Sequence, residues 1–256
     1  MVKELRSKEN RIFKECQKLS QKKYRDKEGR YLIEGPNLLE EALHNGAEIE
    51  YILYDEIKDS DLDTTVPVYR TDHRLFEKLS QTETSQGLLA AVKKPDHSSN
   101  LDDIMKEGSN IVVLDRLQDP GNIGTIIRTA EGAGYSAVVV LKGTADVYAP
   151  KTIRAAAGSV FRIPIIHVQD NRELRSLADK YGKNLLVTSL QGDSYYYDIN
   201  LKENVALVIG NEGNGVSDEL IEMADIKVKI PMSGGLESLN ASVAAGILMY
   251  EAVRGR

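Results

Sequence analysis

The sequence predicts a two-domain α/β protein, a small mixed module followed by a larger domain built on a parallel sheet. Three observations predict this. Strand-like and helix-like patterns alternate along most of the 256 residues. Continuous apolar runs such as Val138-Val139-Val140-Leu141 indicate strands covered on both faces. The alternation breaks at the polar, turn-prone Pro95-Asp96-His97-Ser98-Ser99-Asn100. Residues 1–95 are therefore assigned to the first domain, 96–108 to a linker and 109–256 to the second. With 41% hydrophobic and 28% charged residues, both domains can bury a core.

In the first domain Ile12, Phe13, Cys16 and Leu19 recur at helical spacing, while Lys14, Lys18, Lys22, Lys23 and Arg25 fill the other positions and a loop beyond. This predicts a basic amphipathic helix; taken alone, it also reads as a solvated surface helix docked by its apolar stripe. Short β-like runs follow at Tyr31–Ile33, Ile49–Tyr54, Val66–Tyr69 and Leu88–Val92, with helical patterns at Asn37–His44 and Asp72–Leu79. In the second domain strands are expected near Ile111–Leu114, Ala137–Leu141, Ile163–Ile166, Asn184–Thr188, Val205–Ile209 and Ile226–Ile230. Helices lie between most of them, and a small-residue helix runs from Ala241 to Val253.

Net charge is −6, yet residues 1–30 hold 11 Lys/Arg against 5 Asp/Glu and the remainder 22 against 34. The positive charge is gathered at one end, where it suits a polyanion. A lone cysteine, Cys16, forms no internal disulfide, and His44, His73, His97 and His167 lack ligand spacing, so no metal is expected. The charge-free Ser238–Tyr250 is too short to cross a bilayer, and Met1-Val2-Lys3-Glu4 opens no signal peptide. A cytoplasmic protein without membrane attachment is expected.

Ligands of open parallel sheets bind beyond the carboxyl ends of strands, which directs attention to three loops. After Ile111–Leu114 comes Asp115-Arg116-Leu117-Gln118-Asp119-Pro120-Gly121-Asn122-Ile123-Gly124, then a helix with Arg128 off its apolar stripe. A Pro-Gly turn with an Asn near the helix start reads the same residues without function. After Val205–Ile209 comes Gly210-Asn211-Glu212-Gly213-Asn214-Gly215, whose glycines let a ligand approach the backbone or simply connect elements. After Ile226–Ile230 comes Pro231-Met232 and then Ser238-Leu239-Asn240, where Ser238 or Asn240 also suits a helix cap. The G-x-G-x-x-G spacing of a nicotinamide-dependent oxidoreductase is not met after the first strand of this domain.

Taken in order, these segments resemble the SpoU (TrmH) family of RNA 2′-O-ribose methyltransferases of the SPOUT superfamily. Asn122-Ile123-Gly124-Thr125-Ile126-Ile127-Arg128 resembles the N-x-G-x-x-x-R motif, and Ile209 to Gly215 the second. Ile230-Pro231-Met232 with Ser238-Leu239-Asn240 resembles the third. Ala149-Pro150-Lys151 and Arg154 to Gly158 resemble a further segment, with Ala156 where Ser is common. Asn10 to Leu43 is similar to the substrate-binding domain that precedes many members, which resembles an RNA-binding ribosomal-protein fold.

The resemblance implies a C-terminal trefoil-knot α/β methyltransferase domain, bound S-adenosylmethionine and a homodimer formed through that domain. It implies ribose 2′-hydroxyl methylation of RNA, with 23S ribosomal RNA favoured over tRNA; a non-catalytic RNA-binding protein keeping the fold is the further alternative. Thr188, Ser189, Leu190, Gly210, Asn211, Gly213, Ile230, Met232, Ser238 and Leu239 are then expected to hold the cofactor, largely through backbone groups. Arg128 is expected to position and stabilise charge, base action being its alternative role, because a guanidinium is a poor base. Asn122 is expected to orient Arg128 or the ribose, Glu212 to support the loop, and Ser238 and Asn240 to arrange a polar network. Lys14, Lys18, Lys22, Lys23, Arg25 and Arg30 are expected to meet RNA phosphates. Arg154, with Lys151, either joins them or pins a loop.

Overall fold

Alternation of apolar side chains along short strands places one face of a small sheet against a helix, and continuous apolar runs bury a larger sheet on both faces. The computed structural model describes residues 2–57, 64–82, 84–189, 192–234 and 238–255. Packing divides the chain into two units, Met1–Asp96 with Tyr148–Arg154, and His97–Val147 with Ala155–Arg256.

The first unit runs β1 (Val2–Leu5), α1 (Arg11–Leu19), α2 (Lys22–Glu28), β2 (Arg30–Glu34), α3 (Pro36–His44), β3 (Ile49–Asp55), β4 (Val68–Thr71), α4 (His73–Phe76) and β5 (Leu88–Lys93). Its sheet has the order β1-β4-β3-β5-β2. The first three are mutually parallel, and β5 is antiparallel to β3 and β2. Leu32, Tyr51, Leu53, Leu89 and Ala91 on one sheet face close over Phe13, Cys16 and Leu19 of α1. Strand β1 was not anticipated, because three of its four residues are exposed and leave no alternation to read. The helix expected over Asp72–Leu79 is confined to α4.

Two expectations for the basic segment are corrected. Lys22, Lys23 and Arg25 stand on a second helix rather than in a loop. Arg25 is only 4% exposed, and its guanidinium donates to the carbonyls of Leu19 (2.8 Å) and Ser20 (2.7 Å). The last carbonyls of a helix have no partner within it, so Arg25 closes the end of α1 and is withdrawn from the phosphate-facing set.

The second unit is built from α5 (Leu101–Ile104), β6 (Ile111–Leu114), α6 (Pro120–Gly132), β7 (Ala137–Leu141), α7 (Pro150–Ala156), β8 (Ile165–Val168), α8 (Asn171–Lys180), β9 (Asn184–Thr188), β10 (Ser194–Tyr195), β11 (Val205–Ile209), α9 (Asp218–Met223), β12 (Ile226–Lys229) and α10 (Ala241–Glu251), with α7 divided between the units. The sheet order is β10-β12-β9-β11-β6-β7-β8, parallel throughout. Strands β6, β7 and β11 are buried along their whole length, as a sheet covered on both faces requires. Within the stretch expected as a linker, α5 forms and Ile104 and Met105 are buried in the core of this unit. Lys183, 2% exposed, donates from Nζ to the carbonyls of Lys106 (2.8 Å) and Ser109 (2.7 Å), fixing the turn into β6. No helix among the described residues is long and apolar enough to cross a membrane.

Replacing Arg25 by Met leaves two carbonyls without their charged donor. Urea unfolding is expected to show a loss of about 1–3 kcal/mol; an unchanged midpoint would contradict the capping role.

Candidate active site

Because β6 and β11 are neighbours and parallel, the loops after them meet at one edge of the sheet. The chain leaves β6 through Asp115, which is 2% exposed. Its carboxylate accepts from the Ser217 amide (2.8 Å) and from Nε of Arg116 (3.0 Å), tying the two loops at their base. Asp119 then caps α6 by accepting from the Asn122 amide at 2.8 Å, with Pro120 opening the helix. Since Asp119 is the cap, the side chain of Asn122 is left for other work.

That side chain joins three loops. Nδ2 of Asn122 donates to Oε1 of Glu212 at 3.2 Å, and its Oδ1 accepts from Nδ2 of Asn240 at 2.9 Å. Glu212 also accepts the backbone amides of Gln118 (3.2 Å) and Asp119 (3.1 Å). Asn240 in turn caps α10, its Oδ1 accepting from the Ser242 amide at 2.9 Å. Its capping role and its reach across to Asn122 therefore coexist. Helix α10 runs parallel to α6: Asn240 meets Asn122 at the amino ends, and a Cβ on Gly132 would lie 3.3 Å from the Tyr250 hydroxyl at the far ends. Both positive helix ends thus gather near the Glu212 carboxylate. Partial burial opposes its ionisation, but hydrogen bonds from backbone amides and Asn122 outweigh that cost and hold the carboxyl below the usual range.

The glycine-rich loop closes on itself. Asn211 and Gly215 exchange backbone hydrogen bonds at 3.0 and 2.9 Å, and Oδ1 of Asn211 accepts the amides of Gly213 and Asn214, both at 3.0 Å. Nδ2 of Asn211 donates to the Arg116 carbonyl at 2.9 Å. A Cβ on Gly210 would stand 2.2 Å from the carbonyl carbon of Gly215 and the nitrogen of Val216. The loop's own backbone therefore requires glycine at position 210.

The remaining expected residues are placed unevenly. β9, β11 and β12 lie side by side, so Thr188, Ser189, Gly210 and Ile230 share the carboxyl edge, with the Ser189 amide donating to the Val228 carbonyl at 2.9 Å. Ile230, Met232 and Leu239 are half-buried. Leu190 lies outside the described residues. Ser238 is exposed. Arg128 is exposed as well, about 9 Å farther along α6 than Asn122 and about a third of a turn around it. Among the described residues the Asn122 side chain bonds Glu212 and Asn240, not Arg128. Sequence reading overlooked Asp115 and Arg116 as site residues; an acid directly after a fully apolar strand was the available signal.

On the first unit Lys18, Lys22 and Lys23 are exposed, and Lys14 is exposed while paired with Glu9. Lys18 and Lys23 each lie 5.9 Å from the Tyr24 ring centre. Arg30 is engaged within the fold, its guanidinium paired with Glu15 (2.7 Å) and Glu50, which corrects its assignment to phosphate. Lys151 and Arg154 are exposed on α7.

Residues 109–250 match the SpoU rRNA Methylase family, and residues 10–90 match the MRM3-like substrate binding domain. The chain is 39% identical to the 23S rRNA (guanosine(2553)-2′-O)-methyltransferase RlmP of Bacillus subtilis, over 97% of this chain and 98% of the relative. It is 32% identical to the 23S rRNA (uridine(2479)-2′-O)-methyltransferase of Streptomyces viridochromogenes, over 93% and 87%. The AdoMet-bound rRNA methyltransferase from Sinorhizobium meliloti superposes with a TM-score of 0.87 at 34% identity, over 99% of this chain and 98% of that one. Motif, fold and relatives agree: the chain belongs to the SpoU rRNA methylase family.

Proposed function

We propose that this protein methylates a ribose 2′-hydroxyl of ribosomal RNA, with 23S RNA as the substrate. The observation that carries this reading is the hydrogen-bonded line Asn240–Asn122–Glu212, which joins all three motif loops at the carboxyl edge of the sheet. S-adenosylmethionine, when bound, supplies an electrophilic methyl group on a sulfonium. The residues present suit such a ligand. Thr188, Ile230, Met232 and Leu239 offer half-buried apolar surface and backbone groups beside the closed Gly210–Gly215 loop, a surface for an uncharged nucleoside. Leu190 and Gly213 complete the proposed cofactor contacts.

Asn122 and Asn240 hold the loops in register, and Glu212 fixes Asn122. Arg128 is assigned to the RNA side, where its guanidinium binds phosphate or stabilises the oxyanion that develops on the attacking ribose. Ser238 is kept as a polar contact to ligand rather than a member of the internal network. The exposed Lys14, Lys18, Lys22 and Lys23 hold RNA phosphates, with Arg154 as a further contact. Homodimerisation is proposed through the methyltransferase domain, where Val243 and Tyr250, seven residues apart on α10, are 50% and 54% exposed. A trefoil knot is part of the same reading, supported by the insertion of the late strand β11 between β6 and β9. The proposed substrate puts the protein in the cytoplasm.

Methyl incorporation into ribosomal RNA, followed by ribose-methylation mapping with and without the protein, tests the activity; no incorporation and an unchanged map would refute it. Arg128→Ala is expected to lower kcat by about 10²–10³ while S-adenosylmethionine still raises the melting temperature; unaltered turnover would remove Arg128 from the reaction. Glu212→Gln turns one acceptor of the Gln118 and Asp119 amides into a donor and is expected to lower methyl transfer by about 10²-fold through misplacement. Because the folded carboxyl titrates below its ordinary value, its stabilisation is present at neutral pH and lost as pH falls through that depressed value. Circular-dichroism melts should therefore show the wild type losing its advantage over Glu212→Gln only in acid. Reversing charge at Lys22 and Lys23 should reduce the slope of log affinity against log salt by about 1.4, at roughly 0.7 per phosphate contact; an unchanged slope would assign those lysines to solvent.

A further inference from the structure

The edge strand β10 and the turn after it carry aromatic rings that the proposed chemistry leaves without a role. Asp193-Ser194-Tyr195-Tyr196-Tyr197-Asp198 places three tyrosines in a row, and two remain well exposed, Tyr195 at 39% and Tyr197 at 46%. Their rings stack, with centroids 5.4 Å apart and planes inclined by 11°. Tyr196 and Tyr197 form a T-shaped pair, centroids 5.1 Å apart and planes inclined by 71°. The Lys229 ammonium lies 4.9 Å from the centre of the Tyr195 ring. Lone exposed aromatics are ordinary on protein surfaces, but a stacked pair held in place by a third ring and a cation is a preformed flat platform.

Its place in the fold bears on what it meets. Tyr195 pairs in register with Lys229, the last residue of β12, directly before Ile230–Met232. The platform thus stands at the same carboxyl edge as the proposed cofactor loops. Resting on the RNA reading above, we propose that the exposed Tyr197 ring of this platform stacks an unpaired base of the substrate RNA, with Lys229 near its backbone. Single-stranded RNA is recognised by stacking splayed bases on aromatic rings, and such contacts tolerate any base. Asp193 and Asp198 flank the tyrosines in the sequence, so the segment carries no excess positive charge of its own and ring stacking supplies the binding here.

The absence of tryptophan from the sequence gives a direct probe. In the full-length Tyr197→Trp variant, a short single-stranded oligoribonucleotide is expected to quench the new emission saturably. Tyr197→Ala is expected to weaken binding of that oligonucleotide by about 5- to 150-fold, the range for loss of one stacked base, and Tyr197→Phe to restore it. The salt slope should be the same in all three, because the ring carries no charge. KM for RNA should rise in Tyr197→Ala with kcat and S-adenosylmethionine affinity unchanged. Unquenched emission, or wild-type RNA affinity in Tyr197→Ala, overturns the proposal. A changed oligomeric state in Tyr197→Ala with unchanged RNA affinity overturns it in favour of a protein contact. The binding arms need no turnover: quenching by RNA in a protein that transfers no methyl would refute the activity and leave the stacking intact.

Discussion

A carboxylate seated at the amino end of a helix organises the second unit. Glu212 arrives on a loop from one strand and accepts two backbone amides and one side-chain amide from the loop and helix that follow its neighbour in the sheet. The two backbone amides belong to Gln118 and Asp119, in the turn that leads into α6. The arrangement explains several local choices. Asp119 must serve as the cap so that Asn122 is free, and Gly210 must lack a side chain so that the loop carrying Glu212 can fold tightly on Gly215 and Val216. Asp115 reinforces the same junction from below by holding the Ser217 amide. Each contact is modest, yet all act on one joint between two parallel strands.

Much of the fold was legible because burial leaves a direct trace in the sequence. The runs at Ile111–Leu114, Ala137–Leu141, Asn184–Thr188 and Val205–Ile209 are strands with the expected limits, since strands covered on both faces admit almost nothing polar. β1 and the two-residue β10 left no such trace: they are held by backbone pairing at sheet edges, which any side chain permits. The stretch 96–108 was misleading in the opposite sense. Its turn-prone start concealed Leu101, Ile104 and Met105, too few apolar residues to show a period but enough to dock a single helical turn.

The site was legible as residue types and spacing, less so as partnerships. Asn122, Glu212 and Asn240 were all singled out, but nothing in their spacing reveals that the two asparagines bond to each other across 118 residues. Arg25 and Arg30 show the limit of reading charge from composition. Both stand in a basic segment, yet one closes a helix end and the other is held between two glutamates. An arginine offers its guanidinium to a phosphate only when its donors are not already engaged, and that depends on tertiary neighbours.

The bond between the two asparagines also sets an order of events during synthesis. Asn122 leaves the ribosome long before Asn240, so the growing chain carries an incomplete network while β7 through β12 are still being made. Only when α10 lies alongside α6 does the amide of Asn240 reach its partner and complete the connection among the three loops. A chain stopped before Asn240 therefore lacks this connection.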